Sequence, residues 1–111
     1  EVRNLAECQA NMLSYRQILL DKITDFKTTK QKRQGAYDRY YKIKYREYSI
    51  DYDVKLTSGE KVAFIKADLS HLRTQMEMLQ SHMDYYQECI KTCDNLAFAI
   101  RNRISLDDKE Y

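Results

Sequence analysis

Residues 60–104 read EKVAFIKADLSHLRTQMEMLQSHMDYYQECIKTCDNLAFAIRNRI, and this stretch decides the fold. Every third or fourth position carries an apolar or largely apolar side chain, which is the a/d pattern of a helix that packs along a partner. The positions are Val62, Ile65, Leu69, Leu72, Met76, Leu79, Met83, Tyr86, Ile90, Cys93, Ala97, Ile100 and Ile104. A continuous helix of this length would extend about 65 Å. The pattern therefore predicts a long helix whose apolar stripe is covered by another helix.

The composition of the whole chain agrees with long helices. Its 111 residues include no proline, two glycines and 32% charged residues, which favours a single all-α domain over folds with many turns. The 43% hydrophobic content argues against general disorder. No apolar run approaches the length of about 18 residues that a membrane-spanning helix needs. The three cysteines, two of them spaced i, i+4, are more typical of a reducing intracellular setting than of a secreted disulfide framework.

A first helix is predicted over residues 1–46. Its apolar seam consists of Leu5, Cys8, Met12, Tyr15, Leu19, Ile23 and Phe26, with Ile18 beside it. The seam fades after Phe26, because Lys30 and Arg33 occupy positions that a dry core does not accept without partners. Gly35 weakens the helical pattern there. We therefore expect the first helix to leave the core beyond Phe26 and to present polar side chains to water.

A short extended connector is predicted over residues 47–58. Alternation of apolar and polar side chains in residues 50–56 favours a short strand there. Thr57 and Glu60 then have the spacing of a capping box, which starts a second helix predicted over residues 59–105. The acidic tail, residues 106–111, is expected to fray.

Two helices joined in a hairpin cannot cover all of this apolar surface. The second helix carries a further set of apolar residues beside its main stripe, and this set has no partner within one chain: Phe64, Ala67, Met78, Cys89, Leu96 and Phe98. We therefore predict a long helical hairpin that packs in coiled-coil fashion into a homo-oligomer. The core and oligomer seam is predicted to contain Leu69, Leu72, Met76, Leu79, Met83, Tyr86, Ile90 and Ile100.

The net charge of +2 conceals a strongly cationic segment. Residues 27–46, called here the basic segment, hold eight basic residues and one acid, Asp38, so they carry +7 and the remainder carries −5. Lysine and arginine neutralise phosphates, and tyrosine rings stack on unpaired bases, so this mixture favours single-stranded nucleic acid. The predicted binding residues are Lys27, Lys30, Lys32, Arg33, Arg39, Tyr40, Tyr41, Lys42, Lys44 and Arg46. A solvated helix face, with its tyrosines packed against a neighbouring subunit, explains the same pattern about equally well.

No pattern indicates a catalytic centre, a metal site or a cofactor. Asp68 and His71 have the i, i+3 spacing of a diiron helix, but the other histidine, His82, lies on the same predicted helix. Cys89 and Cys93 could join His82 on one face, yet a fourth ligand is missing and both are more typical of a core. Two isolated glycines cannot form a phosphate-binding loop. We expect a protein without enzymatic activity.

Three stretches resemble the UvsY family, the recombination mediator proteins of T4-like phages. The first is Asn-Met-Leu-Ser-Tyr at residues 11–15, and the second is Arg-Tyr-Tyr at residues 39–41. The third is Glu-Lys-Val-Ala-Phe-Ile-Lys-Ala-Asp at residues 60–68, followed by the long helix and Phe-Ala-Ile-Arg-Asn-Arg-Ile at residues 98–104. Together they span most of the chain.

The resemblance implies a role in DNA recombination and repair. Such a mediator binds single-stranded DNA without sequence preference and helps load a RecA-like recombinase onto DNA coated by the phage single-strand-binding protein. The resemblance also implies rings of about six or seven copies, in the cytoplasm of the infected bacterial host. In that family, basic residues just before the paired tyrosines contact DNA, and Lys30, Lys32, Arg33 and Arg39 occupy the matching region.

Two other functions fit the same features. The chain could be a structural coiled-coil scaffold or adaptor of a phage assembly, with no role in nucleic-acid binding. Binding to an anionic membrane surface is less favoured, because the basic segment has few aliphatic side chains to insert.

Overall fold

The first helix, α1, continues without a break from Val2 to Arg46 and passes through Gly35. A computed structural model describes residues 2–109 of the chain. A π-helical turn, Glu47–Asp51, follows α1 directly, α2 spans Ser58–Asp68, and α3 spans Ser70–Lys109. Residues 2–109 contain no strand, so the predicted all-α fold is confirmed.

The connector is shorter than predicted. The π-helical turn extends the helical backbone to Asp51, which leaves six residues, 52–57, between it and α2. The backbone is extended at both ends of this segment, with ψ of 135° at Tyr52 and 163° at Thr57. The prediction of a strand near residues 50–56 was wrong. A strand needs a neighbour for its N–H and C=O groups, and no described segment supplies one.

The second predicted helix is divided in two. Its backbone departs from helical geometry at Leu69, where φ is −101° and ψ is 12°. The departure is local, because the Leu69 N–H donates to the carbonyl of Ile65 at 3.0 Å and the Arg73 N–H donates to that of Leu69 at 3.2 Å. At the other end α3 reaches Lys109, so the tail predicted to fray is helical as far as it is described. Glu110 and Tyr111 lie outside the described residues.

The predicted capping box is present at the start of α2. The Glu60 N–H donates to the Thr57 hydroxyl oxygen at 3.2 Å, and the Thr57 N–H donates to a Glu60 carboxylate oxygen at 3.0 Å. Two of the amides that a helix start leaves unpaired are thus satisfied locally.

The chain, predicted as one domain, forms two compact units. The terminal unit comprises residues 1–26 and 82–111, and its core is made by Leu19, Ile90 and Cys93. Met12 and Ile23 also pack there. These contacts join the early part of α1 to the late part of α3, as the two apolar seams predict.

Polar and aromatic contacts fix the direction of the helices in the terminal unit. The Arg16 guanidinium pairs with Asp94 at 2.8 Å. One face of the Phe26 ring stacks on His82, with ring centres 5.5 Å apart, and Phe26 also stacks on Tyr86 at 5.6 Å. Later residues of α1 thus meet earlier residues of α3, which shows that the helices are antiparallel.

The central unit comprises residues 27–81 and has a second core. Ile65, Leu69 and Leu72 are buried there, and three tyrosines from α1 and the π-helical turn pack against them: Tyr37, Tyr41 and Tyr48. Half of the six tyrosines between residues 37 and 52 therefore belong to the core of the chain itself.

The apolar stripe of residues 60–104 points inward along its whole length. All of its positions are buried or half-buried, including the eight predicted for the core seam. The seam of α1 is less complete, because Cys8, Tyr15 and Ile18 are exposed. Cys93 is buried and Cys89 half-buried, so these two cysteines act as core fillers as predicted.

Candidate nucleic-acid interface

The helical repeat of α1 separates tyrosines from cations in the central unit. Tyr37, Tyr41 and Tyr48 recur at intervals of four and seven residues and lie on the side that meets Ile65 and Leu72. Four of the basic residues lie about half a turn away from these tyrosines, on the opposite side of α1: Lys32, Arg39, Lys42 and Arg46. The apolar core thus orients the basic residues toward solvent.

Four cations form the outward side of the basic segment, called here the basic face: Lys32, Arg39, Lys42 and Arg46. All four side chains are exposed. With a rise of 1.5 Å per residue, the row extends about 21 Å along the helix axis. A straight row of this kind can follow several successive phosphates of one strand.

No carboxylate neutralises the basic face within residues 3–109. Lys32, Arg39, Lys42 and Arg46 form no ion pair there, and neither does the adjacent exposed Arg33. Asp38, the one acid of the segment, accepts a hydrogen bond from the Gln34 amide at 3.0 Å. The positive charge therefore faces solvent.

Other predicted binding residues contact neighbouring side chains and do not belong to the basic face. The Lys30 ammonium donates to the Gln80 side-chain oxygen at 2.6 Å and is half-buried. Lys44 lies 3.4 Å from the Glu47 carboxylate. Tyr41 packs into the core of the central unit. The structure thus brings together only part of the predicted set, with Lys27 exposed and Tyr40 50% exposed as further candidates.

A shallow open depression lies on α1 among three of the cations. Lys32, Arg33 and Arg39 line it together with Gly35 and Ala36, whose side chains are too small to fill it. Gln31 and Thr28 add polar groups at the edge. The sequence indicated the cations, but nothing in it marked Gly35 as part of the site.

Residues in and next to the π-helical turn make contacts that sequence reasoning missed. The Tyr48 hydroxyl donates a hydrogen bond to the Asp68 carboxylate. This bond, with desolvation as a lesser cause, raises the pKa of Tyr48 to about 12. The Lys61 ammonium lies 5.3 Å from the centre of the Tyr45 ring. These contacts join residues far apart in the sequence, so no local pattern predicts them.

Part of the second apolar set is exposed to solvent. Met78 is 57% exposed, Leu96 51% and Phe98 59%, and Tyr85, which is not a member of that set, is 66% exposed. Tyr85 and Leu96 are eleven residues apart, about three helical turns, and so share one face of α3. Tyr85 and Leu96 are therefore candidate contacts for a partner molecule.

Two features are absent from the described residues. Among residues 3–109, no group of three or more His, Cys, Asp or Glu side chains is arranged to hold a metal ion. Within residues 2–109, no helix is both long enough and apolar enough to cross a membrane.

Fold and site together define an all-α protein with one cationic helix face and an exposed apolar face. No family model matches the chain, and neither a curated protein nor a solved structure matches it.

Proposed function

We propose that this protein binds single-stranded DNA without sequence preference and acts as a recombination mediator. In this role it helps load a RecA-like recombinase onto DNA coated by a single-strand-binding protein. The observation that carries the proposal is the basic face, a row of exposed cations with no carboxylate partner among the described residues. The resemblance to the UvsY family supplies the mediator role, since the residues by themselves support only the binding of a polyanion.

Association of several copies completes the proposed mechanism. The exposed apolar residues of α3, such as Tyr85 and Leu96, support a homo-oligomer. Several basic faces on one assembly then engage one strand together, and linked sites bind more tightly than each alone. A strand held at several points is also restrained in shape, which prepares it for a recombinase filament.

Simultaneous replacement of Lys32, Arg33 and Arg39 by alanine tests the binding site. Three lost phosphate contacts should weaken binding of a labelled oligothymidine about 100-fold at low salt. The slope of log affinity against log salt should fall by about 2, because each contact on a single strand contributes about 0.7. Fluorescence anisotropy across a salt series measures both quantities, and mass photometry should show an unchanged oligomer.

The matched control removes the same charge elsewhere on the chain. Lys91, Arg101 and Arg103 are exposed cations of α3, and their replacement by alanine also lowers the net charge by three. This variant should bind nearly as tightly as the parent protein. If both triple variants weakened binding equally, net charge and not the basic face would be responsible. If the first variant dissociated the oligomer, the basic segment would be an interface between subunits.

A structural scaffold or adaptor is the second candidate, and the exposed apolar residues favour it equally. The two functions differ in one measurement. A scaffold shows no saturable binding to an oligonucleotide at any salt concentration, whereas a DNA binder loses affinity steeply as salt rises.

A further inference from the structure

Gly35 has no conformational or internal packing reason to be glycine. It lies within α1, where glycine weakens a helix relative to alanine. No described residue has a positive φ, so the backbone at Gly35 suits any amino acid. A Cβ added there would approach no more closely than 4.0 Å to a terminal nitrogen of Arg39, which is ordinary contact. What the missing side chain does provide is access to the helix backbone from outside.

The surroundings of that accessible backbone are cationic. Arg39 lies one turn after Gly35, and Lys32 lies one turn before it, on the same side of α1. The Arg39 guanidinium extends back toward Gly35, within 4.0 Å of where a Cβ would be. With Arg33, these residues line the open depression. A group that enters it meets three cations, and the Arg39 guanidinium already reaches over Gly35.

We propose that this depression is a seat for one phosphate of the bound strand, held by Lys32, Arg33 and Arg39 above Gly35. The proposal rests on the proposed function, because it names a position within the same interface. The remaining cations of the basic face, Lys42 and Arg46, then contact phosphates further along the strand. The seat, with three cations around one phosphate, would hold the strand more firmly than the single cations at Lys42 and Arg46.

The charge of the site decides between an anion and a second helix. Small residues on a helix also permit close packing of two helices, and Gly35 with Ala36 could serve that purpose. A second copy that approached through the same face would bring its own cations close to Lys32 and Arg39. The like charges of two closely packed helices repel each other. A phosphate is instead attracted by all three cations, and an arginine can donate two parallel hydrogen bonds to its oxygens.

Replacement of Gly35 by alanine and by leucine tests the seat without changing any charge. Gly35→Ala should raise the midpoint of thermal unfolding, because alanine favours the helix, while leaving a shallower seat. Gly35→Leu should weaken binding of labelled oligothymidine about tenfold. It should also lower the salt slope by about 0.7, the value for one phosphate contact on a single strand. Because leucine carries no charge, a lower slope with an unchanged oligomer reports a lost phosphate contact.

Gly59 provides the matched control. It is also helical, and a Cβ there would meet only the Thr57 hydroxyl oxygen at 4.0 Å. Gly59→Leu should leave oligonucleotide affinity and salt slope unchanged. Should Gly35→Leu bind with the parent affinity and slope, the seat does not exist, although the proposed function would stand. A parent protein that binds no oligonucleotide would instead remove the proposed function and the seat with it.

Two further readouts separate the seat from other uses of the same surface. Mass photometry of Gly35→Leu should show the parent oligomer, and dissociation would mean that Gly35 packs against another helix. Inorganic tripolyphosphate should displace labelled oligothymidine only at far higher phosphate concentration, because it offers nothing to Lys42 and Arg46. Displacement at equal concentration would identify free polyphosphate as the ligand and overturn the proposal.

Discussion

Tyr48 stabilises the central unit through both its ring and its hydroxyl. Its ring packs against the core and lies 5.3 Å from Tyr52 and 5.7 Å from Phe64, centre to centre. Its hydroxyl donates to Asp68, which raises the pKa of Tyr48 from 10.0 to about 12. A raised pKa means that the folded state favours the neutral phenol. The stabilisation is therefore fully present below pH 10 and is lost as the pH rises toward 12.

Tyr48→Phe should remove the hydrogen bond and keep the ring. The free energy of unfolding should fall by about 1 kcal/mol at pH 8, the usual contribution of one such bond. The difference between the variant and the parent should shrink between pH 10 and 12, since the parent loses the bond there. Urea denaturation followed by circular dichroism at several pH values measures both effects.

Tyr52→Phe is the control for the hydroxyl. Tyr52 belongs to the same aromatic cluster, and within residues 3–109 its hydroxyl makes no hydrogen bond. Its replacement should leave stability nearly unchanged. An equal loss in both variants would show that the hydrogen bond from Tyr48 to Asp68 makes no specific contribution to stability.

At the scale of elements, the start of α2 is fixed by its own sequence. Thr57 and Glu60 satisfy each other's backbone amides, and this hydrogen bond from the Thr57 backbone lowers the pKa of Glu60 from 4.5. A lowered pKa means that the folded state favours the carboxylate. Its contribution is present above pH 4.5 and is lost as the pH falls below that value.

Thr57→Ala should remove the cap and lower the free energy of unfolding at pH 7 by about 1 kcal/mol. The loss should be smaller at pH 3 than at pH 7, because protonation of Glu60 weakens its half of the box as the pH falls. Urea denaturation at the two pH values gives the comparison.

Ser58→Ala serves as the neighbouring control. Ser58 is the first residue of α2, and its hydroxyl takes part in no hydrogen bond within residues 3–109. Its replacement should cost little at either pH. A pH-independent loss in Thr57→Ala would mean that the Thr57 hydroxyl contributes independently of the Glu60 carboxylate, because alanine keeps the backbone N–H that donates to Glu60.

At the scale of the whole molecule, each of the two compact units is described by its own core, and apolar residues outside these cores are exposed. The terminal unit exposes Tyr85 and Leu96 on one face of α3, while the connector exposes Ile50 and Val54. We place the association of copies on the α3 face because it belongs to a long regular helix, which can pack along a second helix. The irregular connector offers no such continuous ridge.

Replacement of both Tyr85 and Leu96 by glutamate should therefore dissociate the oligomer. Two charges in an apolar interface are costly to bury, so the monomer should dominate at micromolar concentration. Size-exclusion chromatography with light scattering measures the mass. Affinity for a long oligonucleotide should fall with it, because the linked basic faces separate.

The corresponding change at Ile50 and Val54 tests the choice of surface. These residues are 68% and 62% exposed, so glutamates there should leave the unit folded and the oligomer intact. Dissociation in this variant alone would place the interface at the connector. An unchanged mass in both variants would exclude the α3 face as the site of association.

Sequence reasoning succeeded where the determining interactions are local. The stripe of residues 60–104 predicted which side of the helices is buried, because a helix repeats every 3.6 residues whatever its partner. The Thr57–Glu60 cap was predictable because it lies within four residues. The prediction of a strand near residues 50–56 failed. Alternating apolar and polar side chains form a strand only where a second strand can pair with them.

The sequence alone also determined that a basic, tyrosine-rich segment exists, because charge and composition are sums over residues. Only the tertiary structure decided which members of that segment face solvent. Tyr37, Tyr41 and Tyr48 pack against Ile65, Leu69 and Leu72, and Lys30 bonds to Gln80. These partners lie outside the basic segment, so its own sequence cannot show which of its members they cover. From the sequence, Gly35 was recognised only as a residue that weakens the helical pattern. Its cationic surroundings depend on which side of α1 the core leaves open.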